Sequence, residues 1–328
     1  MKDLPTDAEV FAAAARIAPF IRRTPVLTSA GLDAEFGVRL FFKCENFQAS
    51  GAFKARGAFN AVLSLDAADA ARGVATHSSG NHGASLALAA ARRGIPAWVV
   101  VPTDASRFKR DAIARYGAKV VDCAPGLANR EARLAALAAE CGATVVHPYD
   151  NAAVIAGQGT TALEFFEQVG ALDVLLVPVG GGGLVSGCAL ATRAVCPESR
   201  VVAAEPAGAD DCWRSMQAGR RVRLEQVTTI ADGLRASIGE RNWALISQHV
   251  DEVVRVDESE IVAAMRLVWE RLKIVIEPSA AVPLAAIASG RLPVPGQRVG
   301  IVFSGGNLDL DALPALFAGA DRPGVNSP

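Results

Sequence analysis

The sequence predicts an α/β fold of two lobes, each built on a mostly parallel sheet flanked by helices. Short β-branched runs alternate with helices of about a dozen residues almost to the end, the pattern of parallel sheets covered on both faces. The chain has 328 residues, 51% hydrophobic and 20% charged, which gives ample volume for a packed core in one large domain or two lobes.

Thr6-Asp7-Ala8-Glu9 reads as a capping box opening an alanine-rich helix to about Ile21. Val38 to Cys44 reads as a buried strand, followed by a small-residue bend and a helix with Lys54 on its first turn. Next come the strand GVATHS, a helix closing on Gly94, the strand AWVVV, a helix closing on Gly117, AKVVDC, the helix NREARLAALAAECG and the strand ATVVH. The segment PYDNAAVIAG (148–157) reads as the crossing back into a larger sheet. That sheet continues with DVLLVPV, a helix from about Gly183, RVVAAE, EVVRV, the helix SEIVAAMRLVWERLK and the strand RVGIVFS. The expected division is a large lobe of residues 1–65 and 150–328, with residues 70–148 inserted as a small lobe and a cleft between them. Ligands in such folds sit beyond the carboxyl ends of the strands. The tail after about Ala318 is expected to be loose.

A net charge of −1 gives no electrostatic reason to expect nucleic acid or an anionic membrane as partner. No apolar run is long enough to span a bilayer, and the opening MKDLPTDAEV has no signal-peptide form. Six scattered cysteines with no C-x-x-C pair read as reduced thiols of a cytoplasmic protein.

Lys54 stands where apolar neighbours and the positive end of a helix dipole both disfavour the ammonium. A lysine that loses its proton easily is a nucleophile suited to imine formation, although a lysine snorkelling to the surface would also fit. Gly180, Gly181, Gly182 and Gly183 follow a strand and open a helix, so their converging N–H groups form a candidate phosphate cradle. No G-K-[ST] follows, and a strict G-x-G-x-x-G is absent, yet Glu205 ends the next strand at the spacing of a ribose-binding acid. A dinucleotide site is therefore the rival reading at this point. His77-Ser78-Ser79-Gly80-Asn81-His82-Gly83 gathers hydroxyls, an amide and a helix N-terminus, which suits a carboxylate. Ser304-Gly305-Gly306-Asn307 ends a strand in the same style, and the acids of Glu205-Pro206-Ala207-Gly208-Ala209-Asp210-Asp211 suit either a hard cation or a solvated loop.

Together, FFKCENFQASGAFKARGA, THSSGNHG, VIAGQGT, VPVGGGGL, AAEPAGADDC, TIADGLRASIG, IEPSAA and VFSGGN resemble, in this order, the pyridoxal-phosphate enzymes of fold type II (tryptophan synthase β-like). The likeness is to the branch holding serine racemase and the serine/threonine ammonia-lyases (dehydratases). The resemblance implies that Lys54 forms the imine with the cofactor, that Phe53 packs on its ring and that Gly180 to Gly183 bind its phosphate. It implies that Asn81 bonds the phenolic oxygen and that Ser304 is the neutral partner of the ring nitrogen, with the Gly233 backbone and Glu277 nearby. Ser78, Ser79, Asn81 and His82 match the substrate carboxylate loop, Ser79 also matching a second acid/base opposite Lys54. Glu205, the Ala209 carbonyl and Asp211 match a divalent-cation site, Mg²⁺ by expectation. Arg130 matches an arginine reaching the substrate in the racemase and in hydroxyaspartate-acting relatives.

Two positions depart from the family pattern. Ala52 replaces a usual hydroxyl residue, and Tyr149 stands where the mammalian racemase has a smaller polar residue. No segment after SGGN matches the regulatory domain of biosynthetic threonine dehydratases. The implied activity is loss of the β-hydroxyl from a small hydroxy amino acid, serine or threonine, giving a 2-oxo acid and ammonia. Racemisation of serine or aspartate and elimination from 3-hydroxyaspartate are the alternatives, with a homodimer as the expected assembly.

Overall fold

The computed structural model describes residues 3–78, 80–105 and 107–318. The capping box is formed: the Thr6 hydroxyl accepts from Glu9 N, and the Glu9 carboxylate accepts from Thr6 N. That helix, Asp7–Ile17, stops short of the expected Ile21. Pro19 lies where continuation would require its missing N–H.

The strands are β1 (Val26–Leu27), β2 (Arg39–Cys44), β3 (Val74–His77), β4 (Ala97–Pro102) and β5 (Lys119–Cys123), followed by β6 (Thr144–Val145), β7 (Val174–Pro178), β8 (Arg200–Pro206), β9 (Glu252–Val256) and β10 (Arg298–Phe303). Among the described residues they form a six-stranded sheet of order β1-β2-β10-β7-β8-β9 and a four-stranded sheet of order β5-β4-β3-β6. Every pairing is parallel except that of β1 with β2. In β7 every residue is buried, and its side chains alternate between two cores. Val174 and Leu176 join one core, Leu175 and Val177 the other, as a strand covered on both faces requires.

Two helices absent from the sequence reading organise the interior. Where a crossing was expected, Asn151 caps a helix running Ala152–Val169. It touches the Lys54–Leu63 helix and the Gly183–Val195 helix through glycines. A Cβ on Gly157 would lie 2.6 Å from Gly57 Cα, and one on Gly187 would lie 2.3 Å from the Ile155 carbonyl. The two helices that begin at Lys54 and at the glycine run are thus packed, backbone against backbone, on one shared column. The second helix, Pro278–Ala288, is buried along almost its whole length, so no polar face marks it in the sequence. The strand expected from ATVVH is confined to Thr144–Val145, although Val146 N still bonds the Ala75 carbonyl. The expected loose tail after Ala318 lies outside the described residues. Among the described residues no helix is long and apolar enough to cross a membrane.

Candidate active site

A cavity of about 570 Å³ opens at the carboxyl ends of β3, β7 and β10. Its wall includes Phe53, Lys54, Ser78, Asn81, His82, Arg130, Gly180, Gly181, Gly182, Gly183, Gly233, Glu277 and Ser304. Residues read separately from distant segments are therefore brought together. Ser79 lies outside the described residues.

Lys54 is the first residue of its helix, after Phe53. Its Nζ donates to the Pro148 carbonyl at 2.8 Å and lies 5.0 Å from the centre of the Phe53 ring. Burial lowers the ammonium pKa to about 8, against the opposing pull of the Glu277 carboxylate. Desolvation is thus the main cause.

The glycine run is forced by its neighbours. A Cβ on Gly180 would lie 2.8 Å from Leu234 Cα, one on Gly181 2.4 Å from the Tyr149 ring, and one on Gly182 2.7 Å from Asn242 Cβ. Gly182 also has φ +94°, which favours glycine. The Gly181 carbonyl is fixed by Asn242 Nδ2 at 2.8 Å and by Gly239 N at 3.1 Å. Among the described residues no acceptor takes the N–H groups of Gly180 to Gly183. A carbonyl-anchored loop with free amides at a helix N-terminus has the chemistry of an anion cradle.

The Asn81 carboxamide donates from Nδ2 to Glu277 Oε1 and Oε2 at 3.0 and 3.1 Å, and its Oδ1 accepts from Asn307 Nδ2 at 2.9 Å. Ser304 is buried, and its carbonyl accepts from Phe53 N at 2.9 Å. Gly233 N donates to Ser279 Oγ at 3.0 Å. Ala52 is fully buried and pairs with Gly305, whose own Cβ would lie 3.0 Å from it.

His82 is buried with Nε2 3.2 Å from the Val146 carbonyl, and burial, helped by the Lys54 charge, holds its pKa well below the ordinary value. His77 is lowered to about 4 by burial, then by His147 and Arg130. The Nε of Arg130 is buried with no partner among the described residues. Sequence reasoning missed the Pro148 carbonyl, the packing of Tyr149 on Gly181 and the Asn307 bridge. Tyr149, Gly181 and Asn307 each stand in a segment that the sequence marks, but their contacts do not show in it.

Glu205 does not line the cavity. Its carboxylate is buried and accepts from Cys212 N at 3.2 Å and Trp213 N at 2.6 Å, capping the helix Asp211–Ala218. An acid so placed is not presented to a ribose, and the dinucleotide reading loses its main support. Asp211 accepts from Ile238 N at 2.8 Å, and burial raises its pKa to about 6. Burial raises Glu205 as well. Among the described residues no group of three or more His, Cys, Asp or Glu side chains gathers as a metal site.

Residues 17–305 match the family described as pyridoxal-phosphate dependent enzyme. The chain is 50% identical to a beta-hydroxyaspartate dehydratase of Paracoccus denitrificans over 311 residues, covering 95% of this chain and 99% of that protein. It is also 50% identical to a serine racemase of Arabidopsis thaliana, over 91% of this chain and 92% of the racemase. The solved structure of maize serine racemase superposes with a TM-score of 0.93 at 44% identity, covering 96% of this chain and 98% of that one. A buried lysine whose pKa burial lowers shares this cavity with a glycine loop whose amides meet no acceptor among the described residues, an arrangement that suits a phosphorylated aldehyde, and this chain belongs to the pyridoxal-phosphate dependent enzymes, in their lyase and racemase branch of fold type II.

Proposed function

We propose that the chain is an ammonia-lyase that removes the β-hydroxyl of a β-hydroxy amino acid to leave a 2-oxo acid and ammonia. Among such substrates, 3-hydroxyaspartate is favoured over serine and threonine. The observation that carries this choice is Arg130. Arg130 lines the cavity, and among the described residues its buried Nε has no partner, which suits a second carboxylate. The 50% identity to a beta-hydroxyaspartate dehydratase supports the same choice.

In this reading Lys54 holds the cofactor aldehyde, the Gly180–Gly183 amides hold its phosphate, and Phe53 covers one ring face. Asn81 bonds the phenolic oxygen, and Ser304 serves the ring nitrogen beside the Gly233 backbone and Glu277. Bound there, pyridoxal phosphate supplies an electron sink that acidifies the Cα–H bond. Ser78, Ser79, Asn81 and His82 bind the α-carboxylate. The Lys54 amine, whose pKa burial lowers to about 8 in the cofactor-free protein, would be the base that takes the proton from Cα. A serine hydroxyl at position 304 leaves the ring a weaker sink than a carboxylate partner would, which favours prompt loss of the β-hydroxyl.

Residues 1–65 and 150–328 act as the cofactor lobe, and 70–148 as the lobe presenting the carboxylate loop. Glu205, the Ala209 carbonyl and Asp211 would hold Mg²⁺, the burial of both carboxylates being the feature that suits a cation. A homodimer in the cytoplasm completes the reading. The six free thiols support the compartment, and sedimentation would test the assembly.

The Arabidopsis relative supports a second reading as an amino-acid racemase, with Ser79 exchanging a proton on the face opposite Lys54. A panel assay decides between them: release of 2-oxo acid from 3-hydroxyaspartate, serine and threonine, with chiral analysis of the remaining amino acid. Fastest release from 3-hydroxyaspartate is the expected result. Racemised serine with no oxo acid from any substrate would replace the lyase reading.

A further inference from the structure

Asn307 ends the motif Ser304-Gly305-Gly306-Asn307, yet none of the roles assigned above uses it. Its Nδ2 lies between two acceptors, donating to the Ser50 carbonyl at 2.8 Å and to Asn81 Oδ1 at 2.9 Å. Its Oδ1 rests on the backbone of Gly51, where a Cβ would come within 2.4 Å. Gly51 has φ +77°, and its carbonyl accepts from Gly306 N at 2.9 Å, so the two loops are fixed face to face.

Asn81 is therefore constrained from both sides. Its oxygen meets the Asn307 donor, and its nitrogen meets the acceptor-only Glu277 carboxylate. Turning the Asn81 amide over would set oxygen against carboxylate and NH₂ against NH₂, taking these hydrogen bonds from the polar atoms of the half-buried amides and the buried Glu277. Nδ2 carries two hydrogens, and one can be shared by both Glu277 oxygens, leaving the other for a ligand in the cavity.

We propose that Asn307 is a positioning residue that fixes the sense of the Asn81 amide, so that the cavity meets an N–H donor and not a carbonyl oxygen. It does so while tying that amide to the Ser50–Gly51 bend just before Lys54. A ligand with an anionic oxygen at this point, such as the phenolate of pyridoxal phosphate, is selected by that sense. The inference rests on the reading of Asn81 given above.

Replacing Asn307 by aspartate separates positioning from packing. The aspartate side chain has nearly the same shape, but as a carboxylate it has no donor and faces two acceptors. Alanine simply leaves a gap. If the side chain only filled space, N307A would be the more damaging change. If it sets the amide, N307D is.

The experiment titrates pyridoxal phosphate into the cofactor-free forms of wild type, N81A, N307D and N307A without substrate. Dissociation constant, position of the visible band and melting temperature of the cofactor-free protein are recorded. N307D should weaken cofactor binding on the order of tenfold and move the band in the same direction as N81A, with N307A affected less. Wild-type affinity and band in N307D, alongside altered values in N81A, would overturn the proposal. An unaltered N81A would instead overturn the reading of Asn81. Should N307D fail to fold, N307A decides: wild-type band and affinity there would end the idea, and a shift towards N81A would support it.

Discussion

Lys54 Nζ donates to the Pro148 carbonyl at 2.8 Å, joining the helix that follows β2 to the chain segment that leaves the small sheet. The bond holds the amine at the junction of the two sheets, where burial keeps its pKa near 8. The proton is thus easily lost, while the side chain stays aimed into the cavity.

Covalent attachment of pyridoxal phosphate should follow the free-amine fraction of Lys54, rising roughly fivefold from pH 7 to pH 8 and levelling off above pH 9. Stopped-flow absorbance would measure this, and a rate still climbing steeply past pH 10 would contradict the buried amine. The linked stability effect has a definite sign. Because the folded pKa is about 8 and the ordinary value 10.5, the unfolded chain binds the extra proton within that window. This group therefore makes the cofactor-free protein more stable as pH rises from 8 towards 10.5, and Lys54→Met should remove that slope.

Arg130→Leu should lower kcat/KM for 3-hydroxyaspartate on the order of a hundredfold, because the second carboxylate loses its partner. Serine turnover should change by no more than a few fold. Equal losses for the two substrates would show that Arg130 serves the fold or the common α-carboxylate instead.

Beneath the Lys54 helix, Arg56 donates to Glu45 at 2.7 and 2.8 Å and to Glu164 at 3.0 and 3.2 Å, while Lys43 also bonds Glu164. Arg56, Lys43 and Glu45 are fully buried. Arg56→Met should cost about 3–5 kcal/mol in denaturant melts, since it takes the cation away from the fully buried Glu45 carboxylate. By contrast, Arg23→Ala breaks an exposed pair with Glu167 and should cost less than about 1 kcal/mol.

Gly181→Ala should drive a methyl into the Tyr149 ring, costing about 1–3 kcal/mol and displacing the cradle. Cofactor affinity should fall accordingly, as read by equilibrium dialysis. Wild-type affinity in this variant would place the phosphate elsewhere.

Millimolar Mg²⁺ should raise the melting temperature of the wild-type protein by several degrees through binding to the folded state alone. Glu205→Gln should abolish that response. An unchanged shift in the variant would remove Glu205 from the proposed cation site.

The positions of the strand-end loops are legible in sequence because their signals are local: consecutive glycines after a strand, and hydroxyls at a helix start. The Ala152–Val169 helix was missed because VIAGQGT is buried and rich in glycine, so neither period nor propensity marks it. The Arg56 network was missed because Glu45 and Glu164 lie 11 and 108 residues away, and only the fold brings them to one guanidinium. Phe53 and Ala52 point to the desolvation of Lys54, but its hydrogen-bond partner is a backbone carbonyl, which leaves no trace in composition.

The position of β10 between β2 and β7 bears on how the protein is made. A nascent chain has the four strands of the small sheet in hand by Val145, yet β2 and β7 have nothing between them until Phe303 has left the ribosome. Glu277, Ser304 and Asn307 reach Lys54 late in synthesis. A chain released after Leu292 is therefore expected to protect the amides of β3 and β4 from hydrogen exchange while taking up no vitamin B6, and a truncated chain that turned yellow would show that the cofactor site assembles without its central strand.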